Sequence, residues 1–292
     1  NVKRRPEIIL TPFQMSLKWP PKSLIKKHTA TNYKPNENNS NKMLGEPRIT
    51  DNGYQAKSPS REIPEELKAG FTLNHKIPIL YSFYDNSRTS PVYLRMEAYH
   101  RAFEQLDNAC FKYYGHTLDY LLRALESYQV SNKNVLIFGL TGVNCDAISL
   151  WKGATKVYVV DYNLPVSEHP RVHVLSYEDY ISQNIQADVA ISISSFEHDG
   201  LGRYGDPIHP NGDLEAMKLA KKLIAKNGLL FFSVPIGKDC LVWNAHRIYG
   251  KIRLPMLLEG WEVLDTFGFS ESLMVDREFG RYQQPVFVLK NL

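Results

Sequence analysis

The sequence predicts an α/β fold in which a parallel sheet is covered by helices on both faces. From Asn134 onward, short apolar strands alternate with helical stretches, as expected when crossover helices connect parallel strands. The first of these strands runs into a glycine turn, VLIFGLTG, and then into a helix. With 292 residues, of which 43% are hydrophobic, the chain is long enough to bury the core of one large or two small domains.

Composition and patterning divide the chain into three predicted segments. Residues 1–60 hold eleven Lys or Arg against four Asp or Glu, a net charge of +7, and are rich in Pro and Asn. They predict an extended basic leader or stem. Residues 61–130 contain three helical patterns and are expected to form an N-terminal helical cover. Residues 131–292 carry the alternating strands and helices, and no run of eighteen apolar residues predicts a membrane span.

The elements of the third segment can be placed from their apolar patterns. The predicted strands are NVLIFG, KVYVVDYN, RVHVLS, ADVAISIS and GLLFFSVP, followed by WEVLDTFGF and PVFVLKNL as a terminal hairpin. A capping box of Ser176 and Asp179 predicts the start of one helix. The stretch GDLEAMKLAKKLIAKNG predicts an amphipathic helix that ends at Gly228 as its C-cap.

The first turn and the second strand indicate a bound nucleoside. Gly139 and Gly142 lie where a strand turns into a helix, which lets a ligand approach the backbone. Asp161 ends the next strand, 22 residues after Gly139, and a carboxylate there accepts hydrogen bonds from both hydroxyls of a ribose. Asn144 and Cys145 occupy the place of the third glycine in the dinucleotide-binding pattern, so the turn is not suited to bind a pyrophosphate. A tight turn and an exposed aspartate are the alternative interpretation.

Over residues 115–292 the chain resembles the class I S-adenosylmethionine-dependent methyltransferases. VLIFGLTG resembles their first motif, VVDYN their ribose-binding motif, ISISSFEH their fourth-strand motif, AKNGLLFFSVP their fifth strand, and WEVLD and PVFVLK their sixth and seventh strands. The resemblance implies a Rossmann-like seven-stranded sheet with S-adenosylmethionine as cofactor. The residues implied for cofactor binding are Gly139, Thr141, Gly142, Asp161, Tyr162, Ser194 and Ser195. Ile137 departs from the family, whose first strand usually has a carboxylate at that place.

The segment SSFEHDGLGRYGDPIHPNGD further resembles a little-characterised methyltransferase-like family of nematodes, which carries no activity with it. In the methyltransferase topology this segment would border the transferable methyl group. His198 is the first candidate for a base that takes a hydroxyl proton, because histidine titrates near neutrality. Asp199, Asp206 and His209 are the other candidates. A Glu-His pair at this place in the superfamily often only positions the loop, which is the alternative for His198.

Polar side chains of this loop and of the NAHRIYG stretch predict an acceptor site. Arg203 can donate to oxygen-rich groups, Tyr204 can stack on a ring face, and Asp199 and Asp206 can accept from hydroxyls, which suits a polyol or sugar. The set predicted to bind the acceptor is Arg203, Tyr204, His209, His246, Arg247 and Tyr249. A helix start packed into the core is the alternative for NAHRIYG. A divalent metal held by Asp199, Asp206, His209 and Asp213 is the alternative for the loop.

The sequence thus favours an S-adenosylmethionine-dependent O-methyltransferase acting on a hydroxylated acceptor, preferably a carbohydrate or glycan. Because Asn1 rather than Met begins the chain, we expect that an upstream segment was removed. With the stem-like leader, this favours the Golgi or secretory lumen and an N-terminal anchor as the only membrane contact. A small-metabolite methyltransferase in the cytosol is one alternative. A methyltransferase-like interaction module without turnover is another, suggested by Ile137. No aromatic interleaving predicts nucleic-acid binding, and no CxxC pair predicts zinc.

Overall fold

The computed structural model of the chain describes residues 59–87 and 92–292. The leader predicted over residues 1–60 lies almost entirely outside these ranges, so its stem character stays a prediction. Within the described ranges, no helix is both long and apolar enough to cross a bilayer.

Seven α-helices occur in the described part of the chain. They are α1 (Glu65–Phe71), α2 (Met96–Asp107), α3 (His116–Ser127), α4 (Cys145–Trp151), α5 (Tyr177–Ser182), α6 (Gly212–Leu223) and α7 (Arg253–Leu257). The three helical patterns predicted before residue 130 correspond to α1, α2 and α3. The predicted N-cap Ser176 is confirmed, because its hydroxyl oxygen accepts a hydrogen bond from the Asp179 backbone N–H at 3.0 Å. The Asp179 carboxylate accepts from the Ser176 hydroxyl at 2.8 Å, in place of the backbone N–H bond that a full capping box would have.

The strands of the described residues form one large sheet and three small ones. In chain order they are β1 (Ile79–Ser82), β2 (Tyr93–Leu94), β3 (Asn134–Phe138), β4 (Lys156–Val160), β5 (Val166–Ser167), β6 (Val172–Leu175), β7 (Ala187–Ile193), β8 (Ile224–Ser233), β9 (Ile236–Gly237), β10 (Cys240–Asn244), β11 (His246–Ile248), β12 (Trp261–Phe267), β13 (Tyr282–Gln283) and β14 (Val286–Asn291).

The large sheet has seven strands in the order β12-β14-β8-β7-β3-β4-β6. β14 runs antiparallel to both of its neighbours, and the other pairs are parallel. The Rossmann-like seven-stranded sheet is therefore confirmed, and so is the antiparallel pairing of the last two predicted strands. β3 starts in the middle of the sheet, and the chain winds outward to β6 before it crosses to β7. This reversal makes a switch point between β3 and β7, where open α/β sheets bind ligands.

Both faces of the sheet are covered, which explains why its central strands are almost wholly apolar. Side chains of α2, α3 and α4 pack with one face around Val135, Ile137 and Val159. Side chains of α5, α6 and α7 pack with the other face around Leu136 and Phe138. Alternate residues of β3 thus enter opposite cores, and the carboxyl ends of the strands are left free for a site.

The predicted end of the sixth helix at Gly228 is wrong. α6 ends at Leu223, and β8 begins at the next residue, with Gly228 inside the strand. The Asn291 amide Nδ2 donates to the carbonyl of Ile224 at 2.9 Å and to that of Lys221 at 2.9 Å. These bonds satisfy the helix-end carbonyls that a glycine C-cap would otherwise serve.

A second sheet joins the start of the described chain to the segment after β8. β1 pairs in parallel with β10, and β10 pairs antiparallel with β11. The Asn244 side chain extends the contact, because its Oδ1 accepts from the Tyr84 N–H at 2.8 Å and its Nδ2 donates to the Tyr84 carbonyl at 2.9 Å. The NAHRIYG stretch is therefore a strand rather than the helix start considered from sequence.

Arg247 of β11 holds the backbone of the glycine-rich segment that follows β7. The side chain is 2% exposed. Its Nη1 donates to the carbonyl of Asp199 at 2.6 Å, and its Nη2 donates to that of Pro210 at 3.2 Å. Tyr249 is fully buried and donates its hydroxyl to Asp213 Oδ2 at 2.9 Å. The predicted roles of Arg247 and Tyr249 in acceptor binding do not fit these positions, because both side chains are enclosed by protein.

Asp213 at the start of α6 is the counter-ion of this network. Arg253 donates to its two carboxylate oxygens, from Nη2 at 2.6 Å and from Nε at 2.8 Å. Arg247 Nε lies 3.7 Å from Asp213 Oδ1. Burial alone raises the pKa of Asp213, but Arg247 and Arg253 outweigh it and lower that pKa below its ordinary value. The carboxylate is therefore ionised at neutral pH and fixes α6 against β11 and α7.

Asp213→Ala is expected to lower the free energy of unfolding by about 3 to 5 kcal/mol, because it leaves two buried guanidinium groups without their carboxylate. Urea unfolding at pH 7 measures this. Glu215→Ala is the matched control in the same helix, since its pair with Lys218 is exposed and should contribute little to the free energy of unfolding. The Asp213 contribution should be lost only in acid, as the pH falls below the unfolded-state pKa of about 3.9. Equal effects of the two variants would contradict this account.

Candidate ligand-binding site

A pocket lies at the carboxyl ends of β3, β4 and β7, beside the switch point of the sheet. Six of the seven residues predicted to bind cofactor line it: Gly139, Thr141, Asp161, Tyr162, Ser194 and Ser195. His198, Asp199 and Tyr204 of the glycine-rich segment also line it. The structure thus brings together residues from three separate strand ends that sequence had assigned to one site.

Gly139 shapes the floor of the pocket. Its φ is 73°, in the left-handed region that favours glycine. A Cβ built on Gly139 would lie 2.7 Å from Ser195 Oγ, which is closer than real Cβ contacts. Gly142 differs, since it does not line the pocket and an added Cβ would meet no atom within 4 Å. Its predicted place in the cofactor site is therefore not supported by the structure.

Asp161 links the glycine turn to the end of β4. Its Oδ2 accepts from the Leu140 N–H at 2.9 Å, and its Oδ1 accepts from the Asn163 N–H at 2.9 Å. Burial raises the pKa of this carboxyl above its ordinary value, while the backbone donors oppose the shift. A carboxylate has about four acceptor positions. One position on each oxygen is therefore still available to a pair of ligand hydroxyls.

Tyrosines form much of the pocket wall, and sequence reasoning missed three of them. Tyr113 and Tyr114 precede α3 and have ring centroids 4.9 Å apart. Tyr177 at the start of α5 lies 5.5 Å from Tyr162, centroid to centroid. A signal was present in the YYG sequence before α3, since Gly115 takes a φ of 56° at the helix start, in the region that favours glycine. Tyr113, Tyr114, Tyr162 and Tyr177 together give the pocket an aromatic lining.

His198 lines the pocket in a fixed tautomer. Its Nδ1 lies 2.6 Å from the Ala245 carbonyl. Because a carbonyl only accepts, Nδ1 carries the proton and Nε2 keeps its lone pair. Burial and, after it, the charge of Arg203 lower the pKa of His198 to about 3. The imidazole is therefore neutral throughout the neutral range and can accept a proton, although weakly in the ligand-free protein.

The carboxyl of Glu197 lies beneath His198 and is fully buried. Its Oε1 accepts a hydrogen bond from Ser194 Oγ and lies 3.7 Å from His198 Nε2. Burial raises the pKa of Glu197 to about 7. Sequence reasoning took Glu197 only as part of a pair and gave it no separate role.

Asp206 stabilises the loop and does not line the pocket, which corrects its predicted catalytic position. Its Oδ2 accepts from the N–H groups of Gly200 and Gly202 at 2.7 and 3.0 Å, and its Oδ1 accepts from Tyr204 N–H at 3.2 Å. Three backbone N–H groups bonded to Asp206 thus fix this turn, whose glycines disfavour a helix. Asp199 has no such role and faces the pocket with 8% of its surface exposed.

The predicted acceptor residues are split between the pocket and its surroundings. Arg203 stacks on Tyr84 and Tyr204, with its guanidinium carbon 4.6 and 5.1 Å from the ring centroids. Its Nε donates to Asn86 Oδ1 at 3.0 Å. His246 lies beyond it, 6.4 Å from the ring of His198.

His209 lies in a second groove on the α6 side, away from His246. The alternative of a metal held by the loop is not supported. The Asp213 carboxylate already accepts hydrogen bonds from Arg253, and the Asp206 carboxylate already accepts them from backbone N–H groups. Within residues 59–87 and 92–292, no group of three or more His, Cys, Asp or Glu side chains is placed to hold a metal ion.

The fold and the pocket define a doubly wound α/β protein with a ligand site at the switch point of its sheet. The chain belongs to the family described as "Caenorhabditis protein of unknown function, DUF268", whose pattern matches residues 132–286. No curated protein matches the chain.

Several solved structures are similar to the chain at low sequence identity. N-methyltransferase NodS from Bradyrhizobium japonicum, in complex with S-adenosyl-L-homocysteine, has 14% identity and a TM-score of 0.40, over 67% of this chain and 97% of that protein. The 1,6-didemethyltoxoflavin-N1-methyltransferase from Burkholderia thailandensis has 15% identity and a TM-score of 0.42, over 70% and 93%. A Streptococcus thermophilus protein assigned as a hemolysin has 12% identity and a TM-score of 0.38, over 59% of this chain. The match spans 64% of that protein, less than two thirds of its length.

Gly139→Ala should lower the free energy of unfolding by about 1 to 2 kcal/mol, the penalty of a left-handed backbone for an ordinary residue. The contact with Ser195 Oγ should add to this. Gly142→Ala is the control three residues away, and we expect little change from it because the added methyl group meets no neighbour. Denaturant unfolding of both variants measures the difference. A larger loss for Gly142→Ala than for Gly139→Ala would contradict the described turn.

Proposed function

We propose that the chain is an S-adenosylmethionine-dependent methyltransferase that methylates a hydroxyl group, preferably on a carbohydrate or glycan. The observation that carries the proposal is the meeting of the Gly139 turn and Asp161 in a pocket at the switch point of a seven-stranded sheet. Three of the motifs that resemble class I methyltransferases, VLIFGLTG, VVDYN and ISISSFEH, contribute residues that line this pocket. The cofactor, the O-methyl reaction and the acceptor are all parts of the proposal.

The chemistry of the lining residues fits S-adenosylmethionine. Asp161 keeps an acceptor position on each carboxylate oxygen for the two ribose hydroxyls. Gly139 gives the ligand access to the backbone at a place where a methyl group would already contact Ser195. The rings of Tyr162 and Tyr177 offer an apolar surface for a purine. When bound, the cofactor supplies an activated methyl group.

His198 and Tyr204 of the pocket, and Arg203 beside it, suit a hydroxylated acceptor. His198 Nε2 carries the lone pair that would take the hydroxyl proton, and the Ala245 carbonyl keeps it in that tautomer. Arg203 has five N–H donors, of which two bond to Asn86 and Ala245, so others remain for an oxygen-rich ligand. Tyr204 provides a ring face beside His198, with centroids 5.4 Å apart. This mixture of donors and ring faces supports the preference for a sugar over a lipid.

Two further parts of the proposal rest on sequence. A glycan acceptor and the basic leader favour a location in the Golgi or secretory lumen. The alternative is a cytosolic enzyme that methylates a small metabolite. A methyltransferase-like module without turnover is a second candidate function, which Ile137 favours. Ile137 is 1% exposed and packs in the core below the turn, so it offers no carboxylate to the cofactor.

Calorimetry followed by a methyl-transfer screen tests the proposal. S-adenosylmethionine and S-adenosylhomocysteine are titrated into the purified chain, and a panel of glycans and metabolites is then incubated with methyl-labelled cofactor. We expect binding of both ligands and label transfer to a carbohydrate. Binding without transfer to any acceptor would favour the interaction module, and no binding would overturn the proposal.

Asp161→Ala should weaken S-adenosylmethionine binding by roughly 1.5 to 3 kcal/mol, as expected for lost hydrogen bonds to a charged group. Asp188→Ala is the matched control. Asp188 also accepts a backbone N–H, that of Asn134 at 2.9 Å, but it lies at the other end of the sheet. Calorimetry should show near wild-type affinity for the control. Equal affinity in the two variants would remove Asp161 from the cofactor site.

His198→Ala should lower the rate of methyl transfer by about 100-fold at saturating acceptor, the usual scale of a general base, with little change in cofactor affinity. Because the folded-state pKa of His198 is about 3, the base stays unprotonated between pH 5 and 8. The wild-type rate should therefore show no loss near pH 6.5, where an ordinary histidine would gain a proton. His173→Ala, on β6, is the control. A wild-type rate in His198→Ala would mean that another group accepts the proton of the acceptor hydroxyl.

A further inference from the structure

Asp199 is a buried acid that faces the pocket without a hydrogen-bond donor. It follows the short 3-10 helix Phe196–His198 and is 8% exposed. Its side chain borders both the pocket and the second groove, which lies between Tyr177 and α6. Among residues 59–87 and 92–292, hydrogen bonds involve only its backbone, whose carbonyl accepts from Arg247. The carboxyl is therefore more than nine-tenths buried, lines the site and has no partner there.

The other buried acids near the site are all bonded, which makes Asp199 distinct. Asp206 accepts from three backbone N–H groups, and Asp213 accepts from Arg253 and Tyr249. Asp161 accepts from two backbone N–H groups, and Glu197 accepts from a serine hydroxyl at Oε1 while its buried Oε2 has no partner among the described residues. Buried polar groups normally have a partner. The missing partner of Asp199 is then expected to come from a ligand in the pocket.

The surroundings of Asp199 disfavour its charged form. Burial, and after it the neighbouring Asp206, raise the pKa of Asp199 well above its ordinary value, while Arg247 opposes the shift. Asp213 and Glu197 add to the increase. Tyr162 and Tyr177 face the carboxyl from β4 and α5 and offer no positive charge. The groups facing it from all packed elements are Asp206, Arg247, Asp213, Glu197, Tyr162 and Tyr177.

Arg247 does not neutralise the carboxyl, because its donors are directed at backbone carbonyls and its counter-ion is Asp213. The Asp199 carboxyl therefore holds a proton more readily than an ordinary aspartate does. A positive charge brought into the same enclosed pocket would favour ionisation, because opposite charges attract strongly at low dielectric.

We propose that Asp199 distinguishes the cationic cofactor from its neutral product by releasing its proton when the sulfonium group of S-adenosylmethionine enters the pocket. This inference rests on the proposed function. S-adenosylhomocysteine lacks the methyl group and its positive charge but keeps the rest of the molecule. Binding of the product would therefore leave Asp199 protonated, and the site would hold the substrate form more tightly as the pH rises.

The sign of the pH dependence follows from linkage. A ligand whose binding releases a proton binds more tightly as the pH rises. The ratio of S-adenosylmethionine affinity to S-adenosylhomocysteine affinity should thus increase with pH, by up to about tenfold per pH unit. Below the pKa of Asp199 in the cofactor complex, the ratio should become constant, because the carboxyl then stays protonated with either ligand.

Calorimetry in buffers of different ionisation enthalpy measures the protons released at pH 6, 7 and 8. For the wild-type chain we expect up to one proton released per bound S-adenosylmethionine and none with S-adenosylhomocysteine. Sinefungin, in which an amine replaces the methylated sulfur, should behave like the cationic cofactor. Asp199→Asn should abolish proton release and make the affinity ratio independent of pH. Glu215→Gln, which removes an exposed acid at the rim of the second groove, should leave both unchanged.

The outcomes separate this inference from the proposed function. If neither ligand binds, the proposed function fails. If both bind with the same proton release in the wild-type chain, the charge-sensing role of Asp199 is overturned while the cofactor assignment stands. If Glu197→Gln removes the release and Asp199→Asn does not, the titrating acid is Glu197 and the inference is wrong. If Asp199→Asn does not fold, Glu197→Gln decides: proton release that persists in this variant supports Asp199, and release that is lost overturns the inference.

Discussion

The site depends on one buried guanidinium group, that of Arg247. Three glycines and a proline keep the segment after β7 from forming a helix, so its backbone carbonyls lack the partners that regular structure supplies. Arg247 donates to the carbonyls of Asp199 and Pro210 and so joins the two ends of the segment. Asp213 compensates the buried charge. Arg247 thus fixes the ends of the segment, while Asp206 fixes the turn between them through three backbone N–H groups.

The same contact explains why four neighbouring ionisable groups take different protonation states. Arg247 and Arg253 keep Asp213 ionised, and their donors are then largely used. At Asp199 and Glu197 burial is the largest influence, and it raises the pKa of both carboxyl groups. His198 experiences burial and the positive charge of Arg203, and its pKa falls. Groups whose pKa values diverge within one small region are typical of sites that move charge or protons.

Local pattern was enough to predict the central strands, the Gly139 turn and the place of Asp161, because each is set by its immediate neighbours in sequence. The errors come from contacts between distant parts of the chain. Gly228 looked like a helix end because the cap that replaces it, Asn291, lies in the last strand. Arg247 looked like a ligand contact because sequence shows a donor but not whether it meets substrate or backbone. The roles of the pocket residues stay predictions until they are measured.

The pairing of β1 with β10 has a consequence for biosynthesis. Ile79–Ser82 leave the ribosome long before Cys240–Asn244 exist, yet the two strands are hydrogen-bonded neighbours in the finished protein. β1 therefore has no partner strand while β3, β4, β6, β7 and β8 of the large sheet are made. A nascent strand edge exposed for that time can pair with other chains. Because β14 follows β10 in the chain and pairs with both β8 and β12, the large sheet itself is complete only when translation is nearly finished.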